Sequence, residues 1–145
     1  MKINIIAVGK LKEKYWVDAI REYSKRLSRF AEIAVVEIPE GRNLSEEGKN
    51  ILKKSSGYVI VTDIEGKALS SIEIADVISN NLNRGISEFS IIIGSSEGLS
   101  AEVKNAADIR VSFGKITYPH QLMRVIIFEQ VYRAFTIINR LTYHK

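Results

Sequence analysis

The chain has 145 residues, enough for one domain with a core of its own. It contains no cysteine, which excludes disulfides, thiolate metal sites and cysteine nucleophiles, and its two histidines, His120 and His144, are too few for a histidine-based zinc site without carboxylates, so no metal is expected. The net charge of +4 is uneven: residues 1–54 carry 12 Lys/Arg against 8 Asp/Glu, residues 55–145 carry 9 against 9, and the basic third suits a polyanion-facing surface. No apolar run reaches membrane-spanning length and no signal-peptide pattern opens the chain, so a cytoplasmic protein with no membrane contact is the expectation.

Lys2 to Val8 reads as a first strand, closed by Gly9. Lys12 to Phe30 follows as an amphipathic helix, with Trp16, Ile20, Tyr23, Leu27 and Phe30 on one stripe and Lys14, Asp18, Arg21, Lys25 and Arg29 on the opposite face. Ala34 to Ile38 is a second strand ended by Pro39. Gly41 to Glu47 reads as a polar, mobile connection into a short helix ending near Lys54. Gly57 to Thr62 forms a third strand, and Ser70 to Asn83 a helix capped by Ser70 or Ser71. Phe89 to Ile93 is nearly all apolar, as buried parallel strands are. Ser100 to Ala107 is a short helix and Ile109 to Phe113 a fifth strand. Strands alternate with helices throughout, which predicts one α/β domain, 1–145, on a parallel sheet.

A Gly-containing loop then runs to Pro119, expected in the first turn of a long helix with Thr117 as its cap. From Leu122 to Ile138 this helix is apolar on nearly every face, so it must be buried against two partners. One is the chain's own sheet; the other is expected to be a second subunit. Arg124, Glu129, Gln130 and Arg133 then lie in or beside that contact, where burial without partners is costly. Glu129 and Arg133 are spaced to pair along the helix.

The string TYPHQLMRVIIFEQVYRAF with a terminal YHK closely resembles the C-terminal signature of the RlmH family, SPOUT-class methyltransferases of a pseudouridine in 23S ribosomal RNA. The resemblance extends to MKINIIAVGKLKEKYWVDAIREYSKRL, VIVTDIEGKALSS and IIIGSSEGLS. It implies a SPOUT fold whose C-terminal segment forms a deep trefoil knot, a feature that ordinary topology rules would not suggest. It also implies a homodimer that binds S-adenosylmethionine and methylates N3 of a pseudouridine in helix 69 of large-subunit rRNA on assembled ribosomes.

Three loops follow strand ends, where open α/β sheets place ligands: 62–66, 94–98 and 113–118. By resemblance they form the cofactor pocket, with Thr62, Gly94 and the run Phe113, Gly114, Lys115, Ile116, Thr117 and Tyr118 lining S-adenosylmethionine. Gly94 would let backbone approach the ligand closely. Ser95 departs from the family's usual second glycine. Taken alone, Gly94–Gly98 is more often a turn than a site, since it lacks a dinucleotide fingerprint or a P-loop lysine.

The methyl donor arrives activated, so positioning supplies much of the rate. The acceptor imide keeps its proton at neutral pH and needs a base or an anion-stabilising donor. His144 is the candidate base, Tyr143 a stacking platform, and Lys145 or its terminal carboxylate a group that positions RNA or stabilises developing charge. The alternative for the tail is a frayed terminus. Two other readings stand beside this one: a SPOUT methyltransferase of tRNA, and a non-catalytic nucleotide- or anion-binding module.

Overall fold

A computed structural model describes all of residues 1–145. Five strands form one wholly parallel sheet: β1 (Lys2–Val8), β2 (Glu32–Ile38), β3 (Tyr58–Ala68), β4 (Glu88–Ile93) and β5 (Ile109–Ser112). The strand order is β2-β1-β4-β3-β5. The helices are α1 (Lys14–Leu27), α2 (Leu44–Lys54), α3 (Ser71–Asn83), α4 (Ala101–Ala106) and α5 (His120–Ile138). None of them is long and apolar enough to cross a membrane.

The two sides of each strand face different layers, because side chains alternate along a strand. Ile3, Ile5 and Ala7 of β1 join Phe89, Ile91 and Ile93 of β4 beneath α1, α3 and α5. Ile6, Val8 and Ile92 turn the other way, toward Ile51 of α2 and Val103 of α4. With helices covering both faces, β1 and β4 are buried almost without interruption, which explains their unbroken apolar sequences.

Four expectations are corrected in detail. The first helix starts at Lys14 and ends at Leu27, shorter at both ends than the expected span of 12–30. Residues 44–47, expected in a mobile connection, already belong to α2, because the Asn43 side chain accepts the Glu46 N–H and caps the helix. The third strand does not stop at Thr62. It bulges outward over four residues and resumes pairing with β5 at Lys67 and Ala68. Within the bulge, Asp63 accepts the Glu65 N–H, and Gly66 packs so close to β5 that a Cβ would lie 2.7 Å from the Arg110 carbonyl carbon. Finally, Pro119 is itself the cap residue of α5; its extended backbone offers its carbonyl to Met123 N–H at 2.9 Å, and Thr117 makes no cap. Proline has no N–H to leave unsatisfied there. Of the two cap candidates for α3, Ser70 takes the role in a reciprocal box with Glu73.

The long helix α5 lies between α1 and α3, and none of its residues is fully exposed. Arg124, 2 % exposed, reaches across the fold to Glu37 of β2 at 2.7 Å and to the Gly9 carbonyl at 3.1 Å. Glu37 also accepts the Leu11 N–H, so one ion pair fastens the start of α5 to the turn after β1.

Candidate active site

The carboxyl ends of β3, β4 and β5 open into a cavity of about 720 Å³. That is within the range of roughly 300–1,000 Å³ typical of small-molecule sites. Its walls are the β3 end and bulge (Thr62, Asp63, Ile64), the turn after β4 (Gly94, Ser95, Ser96, Gly98, Leu99) and the segment Phe113–His120 apart from Lys115, with Ile93, Lys104, Val111 and Met123 completing the lining. All three expected loops therefore meet at one place. Of the residues expected there, Thr62, Gly94, Phe113, Gly114, Ile116, Thr117 and Tyr118 line the cavity, and Lys115 is exposed and does not.

Each wall has a local cause. The Thr62 hydroxyl donates to the Ile92 carbonyl at 3.0 Å, joining β3 to β4 where the cavity floor begins. At Gly94 the close approach is made by the chain itself: a Cβ would sit 2.6 Å from the Gly98 carbonyl oxygen and 2.8 Å from Leu99. Glycine is therefore needed to close the turn, which Gly98 N–H to Ser95 carbonyl completes at 2.9 Å. Ser95 sits there without a left-handed backbone, and its hydroxyl accepts the Glu97 N–H. A serine in place of the usual glycine thus imposes no strain. Gly114, by contrast, has φ +102, a conformation that side chains resist.

Composition of the lining fits an S-adenosyl donor. Apolar side chains (Ile93, Leu99, Val111, Met123) can enclose a flat base, glycines bring backbone close, and Asp63 with Lys104 offers opposite charges. Asp63 is held 3.1 Å from Arg110 and 3.7 Å from Lys104. Burial alone would raise its carboxyl; the Glu65 N–H and the two cations outweigh that and hold it below its ordinary value. Asp63 belongs to the expected 62–66 loop, whereas Lys104 carries no sequence motif of its own. They become part of the site because the β3 bulge and α4 meet at the cavity wall.

The tail lies elsewhere. Arg140 adopts φ 55, and Leu141 N–H returns to the Thr136 carbonyl at 2.8 Å, so α5 ends in a Schellman turn that reverses the chain. Tyr143 and His144 are thereby laid on α5 of their own chain. The Tyr143 hydroxyl donates to Glu129 at 3.1 Å, its ring meets Tyr132 edge-on at 4.8 Å, and Arg133 lies 4.8 Å over its face. Arg133 also pairs with Glu129 at 2.6 Å, the spacing expected from the sequence. Burial, followed by the Glu129 charge and hydrogen bond, pushes the Tyr143 phenol up to about 12. None of Tyr143, His144 and Lys145 lines the cavity of its own chain. Between His120 at the cavity and Glu129 at the tail's mooring lie about 14 Å of helix.

Arg133 approaches His144 Nδ1 at 3.2 Å. A guanidinium can only donate, so Nδ1 is the accepting partner wherever this contact is a hydrogen bond. His120 stands in the cavity lining at the first turn of α5.

A family model described as "Predicted SPOUT methyltransferase" matches residues 1–144. The chain belongs to the SPOUT methyltransferase family. Full-length relatives named "Ribosomal RNA large subunit methyltransferase H" are 49% identical in Carboxydothermus hydrogenoformans and 47% identical in Streptococcus pneumoniae (strain CGSP14), with all of both chains covered. The fold is also similar to a probable methylase family protein from Haemophilus influenzae (TM-score 0.59, 14% identity, 99% of this chain and 70% of that one). The tRNA (m1G37) methyltransferase of Aquifex aeolicus gives a TM-score of 0.54 at 15% identity, covering 92% of this chain and 70% of that one. The family membership makes this chain an enzyme of methyl transfer, which implies a methyl donor.

Proposed function

We propose that this chain is a homodimeric, S-adenosylmethionine-dependent methyltransferase of N3 of a pseudouridine in helix 69 of large-subunit rRNA, acting in the cytoplasm on assembled ribosomes. The observation that carries the reading is the cavity at the ends of β3, β4 and β5, in a chain 49% identical over its full length to a relative named for large-subunit rRNA methylation. Thr62, Gly94, Phe113, Gly114, Ile116, Thr117 and Tyr118 hold the donor. When bound, the donor supplies an activated methyl group. The protein's part is to orient it, exclude water and manage the acceptor's imide proton.

His144 takes or stabilises that proton, Tyr143 stacks on a base and Lys145 meets RNA. Because the tail does not line its own cavity, it serves the cavity of the second subunit. Half-buried apolar residues of α5 (Leu122, Val125, Ile126) and the 69 % exposed Ile116 support a covered α5 face at that contact. The return of the chain from β5 at the sheet edge to a buried α5 between α1 and α3 supports a C-terminal trefoil knot.

The test is methyl transfer from labelled S-adenosylmethionine to ribosomal particles lacking the modification, with labelled nucleotides mapped by mass spectrometry. Label on a helix 69 pseudouridine is the expected result. Label found on tRNA, or none despite donor binding, overturns the target.

A further inference from the structure

We propose that Asp63 and Lys104 form the subsite for the amino-acid head of the methyl donor, Asp63 accepting from its ammonium and Lys104 donating to its carboxylate. This rests on the S-adenosylmethionine reading and adds to it a recognition element that pairs Asp63 of the expected 62–66 loop with Lys104, which lies outside all three expected loops. Setting aside the histidine, Asp63 and Lys104 are the two charged side chains among the residues that line the cavity. They are of opposite sign and 3.7 Å apart, too far for a hydrogen bond between them. An α-amino acid is a zwitterion of matching separation, so the four charges can alternate around a closed ring. A neutral pair then meets a neutral ligand head, and neither side is left with a buried unpaired charge.

The two residues are held differently, as the roles require. Asp63, with its side chain 4 % exposed, is fixed from behind by Arg110 at 3.1 Å and by the Glu65 N–H at 3.1 Å; Arg110 itself does not line the cavity. Its Oδ1 makes one hydrogen bond and retains acceptor capacity. Lys104, with its side chain 33 % exposed, has the loose approach to Asp63 as its ion pair and keeps its three donors available. One partner is rigid and the other can adjust. The remaining lining near Ile93, Leu99, Val111 and Met123 is apolar and suits the nucleoside end.

The experiment compares two neutral thioethers by calorimetry: S-adenosylhomocysteine, which has the amino-acid head, and 5′-methylthioadenosine, which lacks it. The wild-type protein is expected to bind the first roughly 10- to 100-fold more tightly, as hydrogen bonds to charged groups allow. Asp63→Asn and Lys104→Met should each remove most of that advantage and leave 5′-methylthioadenosine binding within about twofold, as unpaired groups at a separate end of the ligand require. Retained 5′-methylthioadenosine binding also shows that the variant is folded, and the partly exposed Lys104 provides the milder substitution. Equal binding of both ligands by the wild type, or variants that weaken both ligands alike or neither, overturns the subsite while leaving the donor cavity standing. A wild-type protein that binds neither thioether overturns the subsite and the S-adenosylmethionine reading together.

Discussion

At the residue scale, a few side chains decide whether the cavity exists. Gly94→Ala would drive a Cβ against the Gly98 carbonyl and Leu99, and should cost about 1–3 kcal/mol with a loss of donor affinity; urea unfolding and calorimetry check both. Arg124→Met removes the partner of Glu37 and the Gly9 carbonyl. Since Glu37 is partly exposed, the expected cost is roughly 2–3 kcal/mol in urea unfolding rather than that of a fully buried pair. Arg140→Gly goes the other way: relieving a left-handed arginine should raise stability by about 1 kcal/mol. Asp63 gives the acid behaviour its sign. Its folded carboxyl lies below the ordinary 3.8, so its contribution is complete above that value and is lost as pH falls through the lower, folded value. Asp63→Asn should flatten that acid limb; an unchanged limb would show that Asp63 is not the group responsible.

At the element scale, the legible parts of the fold were those whose causes are local. The apolar runs of β1 and β4 announce strands buried on both faces, and Ser70 with Glu73 announces the start of α3. The Asn43 cap was equally local but lay inside a polar stretch that resembled a loop. The β3 bulge had no local signal, because its shape depends on Arg110 and Val111 of a strand formed nearly fifty residues later. The pair Arg124–Glu37 spans 87 positions and could not be read from spacing at all. For the site, the three loops, Asp63 among their residues, were visible as strand ends, whereas Lys104 of α4 joins the lining only through a tertiary meeting. The tail's docking on α5 was likewise invisible, since it depends on a reversal at Arg140. That docking has its own pH dependence. The Tyr143 phenol is raised to about 12, so its contribution holds below the ordinary 10 and disappears as pH climbs from there through 12. The difference in phenolate absorbance between wild type and Tyr143→Phe should show a late-titrating tyrosine; an ordinary titration would mean that the tail is not moored to Glu129.

At the scale of the whole molecule, the cavity proposed for the donor and the tail proposed for catalysis stand at different places on one chain. The cavity opens at the sheet's carboxyl edge, and Tyr143 and His144 are moored to Glu129 and Arg133 farther along α5. A dimer that brings the tail of one chain to the cavity of the other reconciles these positions, and a two-fold axis would create two equivalent sites. The direct test is a mixed dimer made from one chain carrying Gly94→Ala and one lacking Tyr143–Lys145, isolated through two different tags and assayed for methyl transfer to unmodified ribosomal particles. Each parent homodimer should be nearly inactive. The mixed dimer should recover about half of wild-type activity, because one of two symmetric sites is intact. A mixed dimer no more active than its parents, or a tail-deleted homodimer that still methylates, would contradict a site shared between subunits.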